Sequence, residues 1–248
     1  MPEPSAAETD RATAAAIHDL GSAWMLHPET MARAGENGYD NPFAFYFAGR
    51  GGVLGDVHSE VVYSAFGWFA PSLIGPLWDA GRAVHGASDA AARYFAACDA
   101  WGRDHLAGVD GLHRFGDLAE RVVSAAETSG RCLFAGWKVQ PRVTDGPGRA
   151  LQLVHVMREW RGGNHLVATT AAGLSPLEAI LCEDGEGQAK FFGWAEPFPA
   201  MSEDLKKRRQ EAERITDELC APAFEALTGS ERAEFVELVR AIAEAGAK

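Results

Sequence analysis

Apolar residues recur along most of the chain at helical spacing, whereas stretches that alternate as a β-strand does are few. The pair Asn41-Pro42 combines an N-cap residue with proline at the first helical position, so it predicts a helix over 42–48. Apolar spacing and helix-ending glycines predict further helices over 89–106, 112–128, 149–161 and 164–172. The sequence therefore favours a mainly α-helical protein.

Two capping boxes mark helix starts in the second half of the chain. Ser175-Pro176-Leu177-Glu178 places a glutamate three positions after a serine cap and predicts a helix over 176–183. Thr228 and Glu231 have the same spacing and predict the start of the last helix. An apolar stripe over 205–219 predicts a helix before it, and we expect these two terminal helices to pack as an antiparallel pair.

The segment 149–183 has the pattern of a helix-turn-helix. Gly162-Gly163 is expected to break the first helix, and the turn 172–175 contains the glycine that such a motif often uses. A plain three-helix core with short connections has the same pattern, so this alternative stays open.

The domain prediction follows the glycine and proline content. Residues 1–9 are predicted to be disordered, and 141–148 contains two prolines and two glycines that are typical of a linker. We therefore predict an N-terminal helical lobe over 10–140 and a C-terminal lobe over 149–248.

Composition excludes several classes of protein. The chain has 248 residues, of which 47% are apolar and 23% charged, so it can form a large core and is not disordered overall. Its four cysteines show no spacing typical of zinc or disulfide sites, and the first residues lack a signal sequence, so we expect a cytoplasmic protein. Residues 61–78 are uncharged, but Pro71 and Pro76 interrupt them, so two buried helices are favoured over a membrane span.

Charge argues against nucleic acid as a partner. The chain has 23 basic and 35 acidic residues, which gives a net charge of −12. The predicted recognition helix 176–183 has none of the Arg, Lys, Asn or Gln residues that read bases, and it displays Glu178 and Glu183. The basic run 206–209 is surrounded by acidic residues and is interpreted as a solvated mixed face.

Four short stretches carry a resemblance to a known family. They are Phe45–Gly55, Arg158–Ala168, Phe192-Gly193-Trp194 and Glu213–Leu219, in that order along the chain. Together they resemble the actinobacterial helix-turn-helix family that includes the SalK protein, and the second half is similar to MarR-type winged-helix regulators. The resemblance implies two winged-helix-like helical lobes.

The chain departs from that family at two positions. Only 195–212 is available for the wing of the second lobe, so we expect this wing to be reduced. Gly21 stands where the resemblance places a histidine, which argues against a shared histidine chemistry.

Candidate site residues come from two patterns. Ten of the 24 aromatic residues lie within 39–78, where they fill a core or line an apolar pocket; Tyr46, Tyr63 and Trp68 are the candidates. Arg50 and Arg161 each precede a glycine pair and could bind an anionic group, or could simply cap their own helices. Asn164 and His165 follow Arg161 closely in sequence and are further candidates for polar contacts with a ligand.

His155 and Glu159, one helical turn apart, are interpreted as a solvated pair, and no metal site is predicted.

The functional prediction is a small-molecule-binding protein on a winged-helix-derived scaffold that has lost DNA binding. A MarR-like ligand-responsive regulator is the first alternative. An enzyme that uses His165 as general base or metal ligand is the second. We expect a homodimer formed through the terminal helices, no membrane partner, and a cofactor that the sequence leaves unknown.

Overall fold

A computed structural model describes residues 3–247, and within that range every regular element is a helix. The chain alternates α-helices with short turns and contains two 3₁₀ segments, Gly52–Leu54 and Ala221–Ala226. The α-helices are α1 Ala6–Ala23, α2 Pro28–Glu36, α3 Pro42–Gly51, α4 Ser59–Phe66, α5 Pro71–His85, α6 Ala87–Leu106, α7 Leu112–Ala125, α8 Cys132–Lys138, α9 Gly146–Ala171, α10 Pro176–Glu183, α11 Gly185–Phe191, α12 Glu203–Cys220 and α13 Gly229–Gly246.

The first helix begins earlier than the sequence indicated. The side chain of Ser5 accepts a hydrogen bond from the backbone N–H of Glu8, and the Glu8 carboxylate accepts one in return from the Ser5 backbone N–H. Ala6 and Thr9 are buried, so this turn is packed against the rest of the chain. The prediction of disorder over 1–9 is therefore wrong from residue 6 onward, and residues 1 and 2 lie outside the described range.

The uncharged stretch 61–78 forms two helices, as predicted. α4 ends at Phe66, Gly67 takes a φ of +72° that favours glycine, and α5 begins at Pro71. Among the described helices, no single one is long and apolar enough to cross a bilayer; α9 and α10 together pass that test by length and composition, although they meet at a bend of 106°.

The longest helix, α9, lies at the centre of the molecule. It packs against α1, α6, α7, α8 and α12, and most of its first three turns are buried. It begins at Gly146, inside the predicted linker 141–148, and it touches helices on both sides of that linker. The division into two lobes remains a prediction.

The predicted break at Gly162-Gly163 is wrong, because α9 runs through both residues. A Cβ atom at Gly163 would lie 2.9 Å from Cγ of Arg131. This glycine therefore lets the start of α8 approach α9 closely, and helical hydrogen bonding continues past it.

The helix-turn-helix is present in the structure. After α9, Gly173 adopts a φ of +73°, and Ser175 caps α10 with the predicted capping box. The predicted helix 176–183 has the bounds of α10, and it leaves α9 at the 106° bend.

The winged-helix part of the predicted fold is not seen. No β-strand occurs over residues 3–247, and the stretch between α11 and α12 contains no regular element. Pro197 and Pro199 lie in this stretch, and proline cannot donate a hydrogen bond to a strand ladder. The reduced wing that we expected here is therefore absent from this part of the chain.

The two terminal helices do not form the predicted antiparallel pair. α12 packs chiefly against α9, whereas α13 packs chiefly against α1 and also contacts α7. The 3₁₀ segment Ala221–Ala226 separates them, which lets each terminal helix turn to a different part of the core. The homodimer that was predicted through these helices stays a prediction.

Candidate functional site

A pocket of about 430 Å³ opens between α4, the start of α8 and the second half of α9. Its walls are mostly apolar, and its charged lining groups are Arg50, Arg131 and Glu159. The other lining residues are Ser64, Ala65, Phe66, Trp68, Gly130, Cys132, Leu133, Phe134, Gly162, Gly163, Leu166, Val167, Thr170 and Ala171. An apolar cleft with a few convergent polar groups is the usual form of a small-molecule site.

A buried ion pair contributes the deepest charged groups of this pocket. Arg50, in the last turn of α3, donates from Nε and Nη2 to the two carboxylate oxygens of Glu159, at 2.8 and 2.9 Å. Its Nη1 donates to the hydroxyl of Tyr46 at 3.0 Å, and its guanidinium lies 4.4 Å from the ring centre of Phe66. Only 6% of Arg50 and 2% of Glu159 is exposed, so this bidentate pair is shielded from water.

The pair strongly perturbs the titration of Glu159. Burial alone would raise the pKa of this carboxyl group, but the adjacent Arg50 guanidinium outweighs burial and lowers the pKa to about 2. Glu159 is therefore ionised throughout the physiological range.

A second guanidinium lies behind the pair. Nη1 of Arg158 is 3.4 Å from Oε1 of Glu159, and its Nε donates to Oγ of Ser22 at 3.1 Å. Burial and the nearby Arg50 lower the pKa of Arg158. A Cβ at Gly21 would lie 2.7 Å from Cδ of Arg158, so the glycine that replaces the expected histidine leaves room for this arginine.

At the pocket wall, Arg131 makes hydrogen bonds to neutral groups. Its Nε donates to Oδ1 of Asn164 at 2.6 Å, and its Nη1 donates to the carbonyl of Ser129. No carboxylate within residues 3–247 forms a salt bridge with it. Two guanidinium groups and one carboxylate thus line the pocket, so its lining has a net charge of +1.

A separate polar cluster lies at the contact of α9 with α1 and α12. Arg161 donates to Asp10 at 3.0 Å and to Asp217 at 2.9 Å. His165 Nδ1 lies 2.9 Å from Oγ1 of Thr216. Burial raises the pKa of Asp10 to about 6, although Arg161 opposes the shift, and burial lowers the pKa of His165 to about 4.

The candidate residues predicted within 39–78 occupy different places. Arg50 and Trp68 line the pocket. Tyr46 supports Arg50 from behind, and Tyr63 packs against the core as a partly buried residue of α4.

Of the candidates predicted on α9, one supports a pocket residue and the other two belong to the second cluster. Asn164 is fully buried, accepts the hydrogen bond from Arg131, and its Nδ2 lies 3.2 Å from Sγ of Cys220. Arg161 and His165 belong to the separate cluster and do not line the pocket. The ring of His165 lies 5.2 Å from the ring of Trp68, which connects the two sites through one aromatic contact.

Sequence reasoning missed Glu159 and Arg131. The interpretation of His155 and Glu159 as a solvated pair is wrong, because His155 is 0% exposed and its ring packs among Trp24, Tyr94 and Trp137. The signal that could have identified Glu159 is its place next to Trp160, two residues after the mostly apolar stretch 153–157, on a helix too apolar to be solvated on that side.

Comparison with known proteins supports one statement at the level of family. A model described as a helix-turn-helix family matches residues 10–248. No curated protein and no solved structure matches the chain.

Proposed function

Because the chain belongs to this helix-turn-helix family, we propose that it uses the family scaffold to bind a small molecule and that it has lost DNA binding. The single observation that carries the proposal is the pocket of about 430 Å³, with apolar walls and the Arg50–Glu159 pair in its lining. Its volume lies within the range of roughly 300–1,000 Å³ that is typical of small-molecule sites.

The lining also indicates the chemistry of the ligand. Phe66, Trp68 and Leu166 offer apolar surface, and Arg131 supplies a guanidinium that forms no salt bridge within residues 3–247. A guanidinium binds carboxylate, phosphate or sulfonate groups well because its donors match two oxygens at once. We therefore propose a ligand with an apolar or aromatic body and a single negative charge.

Charges around α10 support the loss of DNA binding. The helix displays Glu178, which would repel phosphate groups. On α12, Arg208 pairs with Asp204 at 2.9 Å, and Arg209 pairs with Glu183 at 2.7 Å. The cations nearest to the presumed recognition helix are thus already neutralised.

Isothermal titration calorimetry with two probes that have the same shape but different charge tests the ligand class. 1-Naphthoate carries the proposed negative charge, and 1-naphthamide is its neutral counterpart. We expect the wild-type protein to bind the naphthoate at least tenfold more tightly. Arg131→Gln should remove this preference, whereas Arg240→Gln, at an exposed arginine of α13, should keep it. Equal affinity of the wild-type protein for both probes would contradict the proposed ligand class.

A second pair of variants tests the location of the site. A Cβ atom added at Gly162 meets no atom within 4 Å, and Gly162 lines the pocket, so the larger side chain of Gly162→Leu should occupy pocket space and block binding of the probe. Gly35→Leu is the matched control, since it also adds leucine at an open helical glycine, in α2. If both variants bind naphthoate as the wild-type protein does, the pocket is not the binding site.

A MarR-like ligand-responsive regulator is the second candidate function. The observation that favours it is the direct connection of the pocket to the helix-turn-helix, because Thr170 and Ala171 line the pocket and the turn to α10 starts at Ala172. A regulator should shift duplex DNA in a gel at low salt, with affinity that falls steeply as salt rises. We expect no shift; a salt-dependent shift would contradict the proposed loss of DNA binding and support the regulator.

A further inference from the structure

Two histidines and a glutamate from distant parts of the sequence meet at the surface, away from the pocket residues. His27 precedes α2, Glu29 lies in its first turn, and His105 lies in the last turn of α6. Nε2 of His105 is 3.0 Å from Oε2 of Glu29, and Nδ1 of His27 is 3.7 Å from the same oxygen. One potential ligand atom from each residue lies within 4.8 Å of the others.

These spacings are close to those of a tetrahedral metal site. A zinc ion with bonds of about 2.0–2.2 Å holds its ligand atoms roughly 3.3–3.6 Å apart, so side-chain rotations would bring all three atoms into contact with it. Nδ1 of His27 would then exchange the 3.4 Å hydrogen bond that it accepts from the backbone N–H of Glu29 for the metal ion. Two imidazoles and one carboxylate are donors that Zn²⁺ accepts, whereas Mg²⁺ and Ca²⁺ prefer oxygen alone. We propose that His27, Glu29 and His105 bind a zinc ion, with a fourth position left to water.

The surroundings hold the ligands in place. The ring of His105 stacks on Trp101 with centroids 3.9 Å apart, and the ring of His27 meets the same tryptophan edge to face at 5.8 Å. The C-terminal end of a helix, where His105 lies, favours a cation.

The electrostatic surroundings and the exposure of the ligands are also compatible with a metal ion. Arg33, one turn after Glu29, lies 3.8 Å from Asp104, so its charge is partly compensated. The side chains of His27 and Glu29 are 32% and 50% exposed, which gives the ion a path from solvent and keeps one coordination position open.

Calorimetric titration of the full chain with ZnCl₂ tests the proposal. We expect one zinc ion per chain, and at least tenfold weaker binding in His105→Ala, in Glu29→Gln and in His27→Asn, since even outer-shell changes cost metal sites about 10–100-fold. Asparagine at position 27 retains the helix cap that His27 supplies, so this variant separates loss of a ligand from loss of folding. MgCl₂ should give no binding at this site.

The chain offers a matched control in His58. It caps α4 and accepts a hydrogen bond from the backbone N–H of Glu60, as His27 does with Glu29, but no second histidine forms a metal-binding group with it in the described range. His58→Asn should therefore bind zinc as the wild-type protein does. Absence of zinc binding in the wild-type protein, or unchanged affinity in His105→Ala and Glu29→Gln with wild-type circular dichroism, would overturn the proposal.

Discussion

Glu159→Gln is the substitution that most directly tests the buried pair. Glutamine keeps the size of the side chain and can still accept one hydrogen bond from Arg50, but it removes the negative charge. Arg50 and Arg158 would then lie close together without a carboxylate between them. The pKa of Glu159 falls from 4.5 to about 2 in the folded protein, which corresponds to roughly 3 kcal/mol. Breaking a buried pair by removing one partner typically costs about 3–5 kcal/mol, so both arguments give a similar loss.

The pH dependence of this loss has a definite sign. Because the folded-state pKa of Glu159 is lower than that of the unfolded chain, its stabilising effect is complete above about pH 4.5 and disappears as the pH falls toward 2. The free energy of unfolding of Glu159→Gln should therefore differ from that of the wild-type protein most at neutral pH, and the two values should converge in acid.

Urea unfolding at pH 7 and at pH 3 measures the difference. At pH 7 we expect a loss of about 3–5 kcal/mol, which a thermal melt would show as a fall in Tm of about 6–20 °C. Glu237→Gln is the control, because Glu237 pairs with Arg240 on the exposed side of α13 and should cost less than about 1 kcal/mol. A loss below about 1 kcal/mol in Glu159→Gln would show that water solvates the pair, and the argument for a desolvated pocket lining would fail.

Three further outcomes follow from the structure. Burial raises the pKa of Asp10 to about 6, so the folded protein should lose stability as the pH rises from about 4 to 6, and urea unfolding of Asp10→Asn should lack that slope. Gly162→Ala should stabilise α9 by up to about 1 kcal/mol because its Cβ meets no atom within 4 Å. Gly163→Ala should instead destabilise the protein because its Cβ would lie 2.9 Å from Arg131, and thermal melts of the two variants measure the difference. Ser175→Ala should cost about 1 kcal/mol through the lost cap of α10, and an unchanged Tm would contradict the role of that capping box.

Local signals were the part of the fold that the sequence predicted well. The caps at Asn41, Ser175 and Thr228 each begin a helix in the structure, because these side chains satisfy backbone N–H groups within three residues and need no tertiary partner. The predicted helix break at Gly162-Gly163 was wrong because it depended on a tertiary contact. Whether a glycine ends a helix or permits a close approach depends on the neighbour, here Arg131, which is about 30 residues away in sequence.

The candidate site was only partly accessible to the same reasoning. Arg50 and Trp68 were selected from local composition, and they do line the pocket. Glu159 and Arg131 were not, since each becomes a pocket residue through a partner on another helix. His27 and His105 illustrate the same limit, because no spacing rule connects two residues that meet only through the packing of α2 against α6.

The continuity of α9 has a mechanical consequence. Its pocket-facing stretch from Glu159 to Ala171 rises by roughly 18 Å along a single rod, and the bend to α10 follows directly. A tilt of about 5° around the Glu159 end would displace the Ala171 end by about 1–2 Å, a shift of the size by which packed helices move in allosteric proteins. A rigid-body tilt of α9 about the buried ion pair would therefore displace α10 together with the end of the pocket.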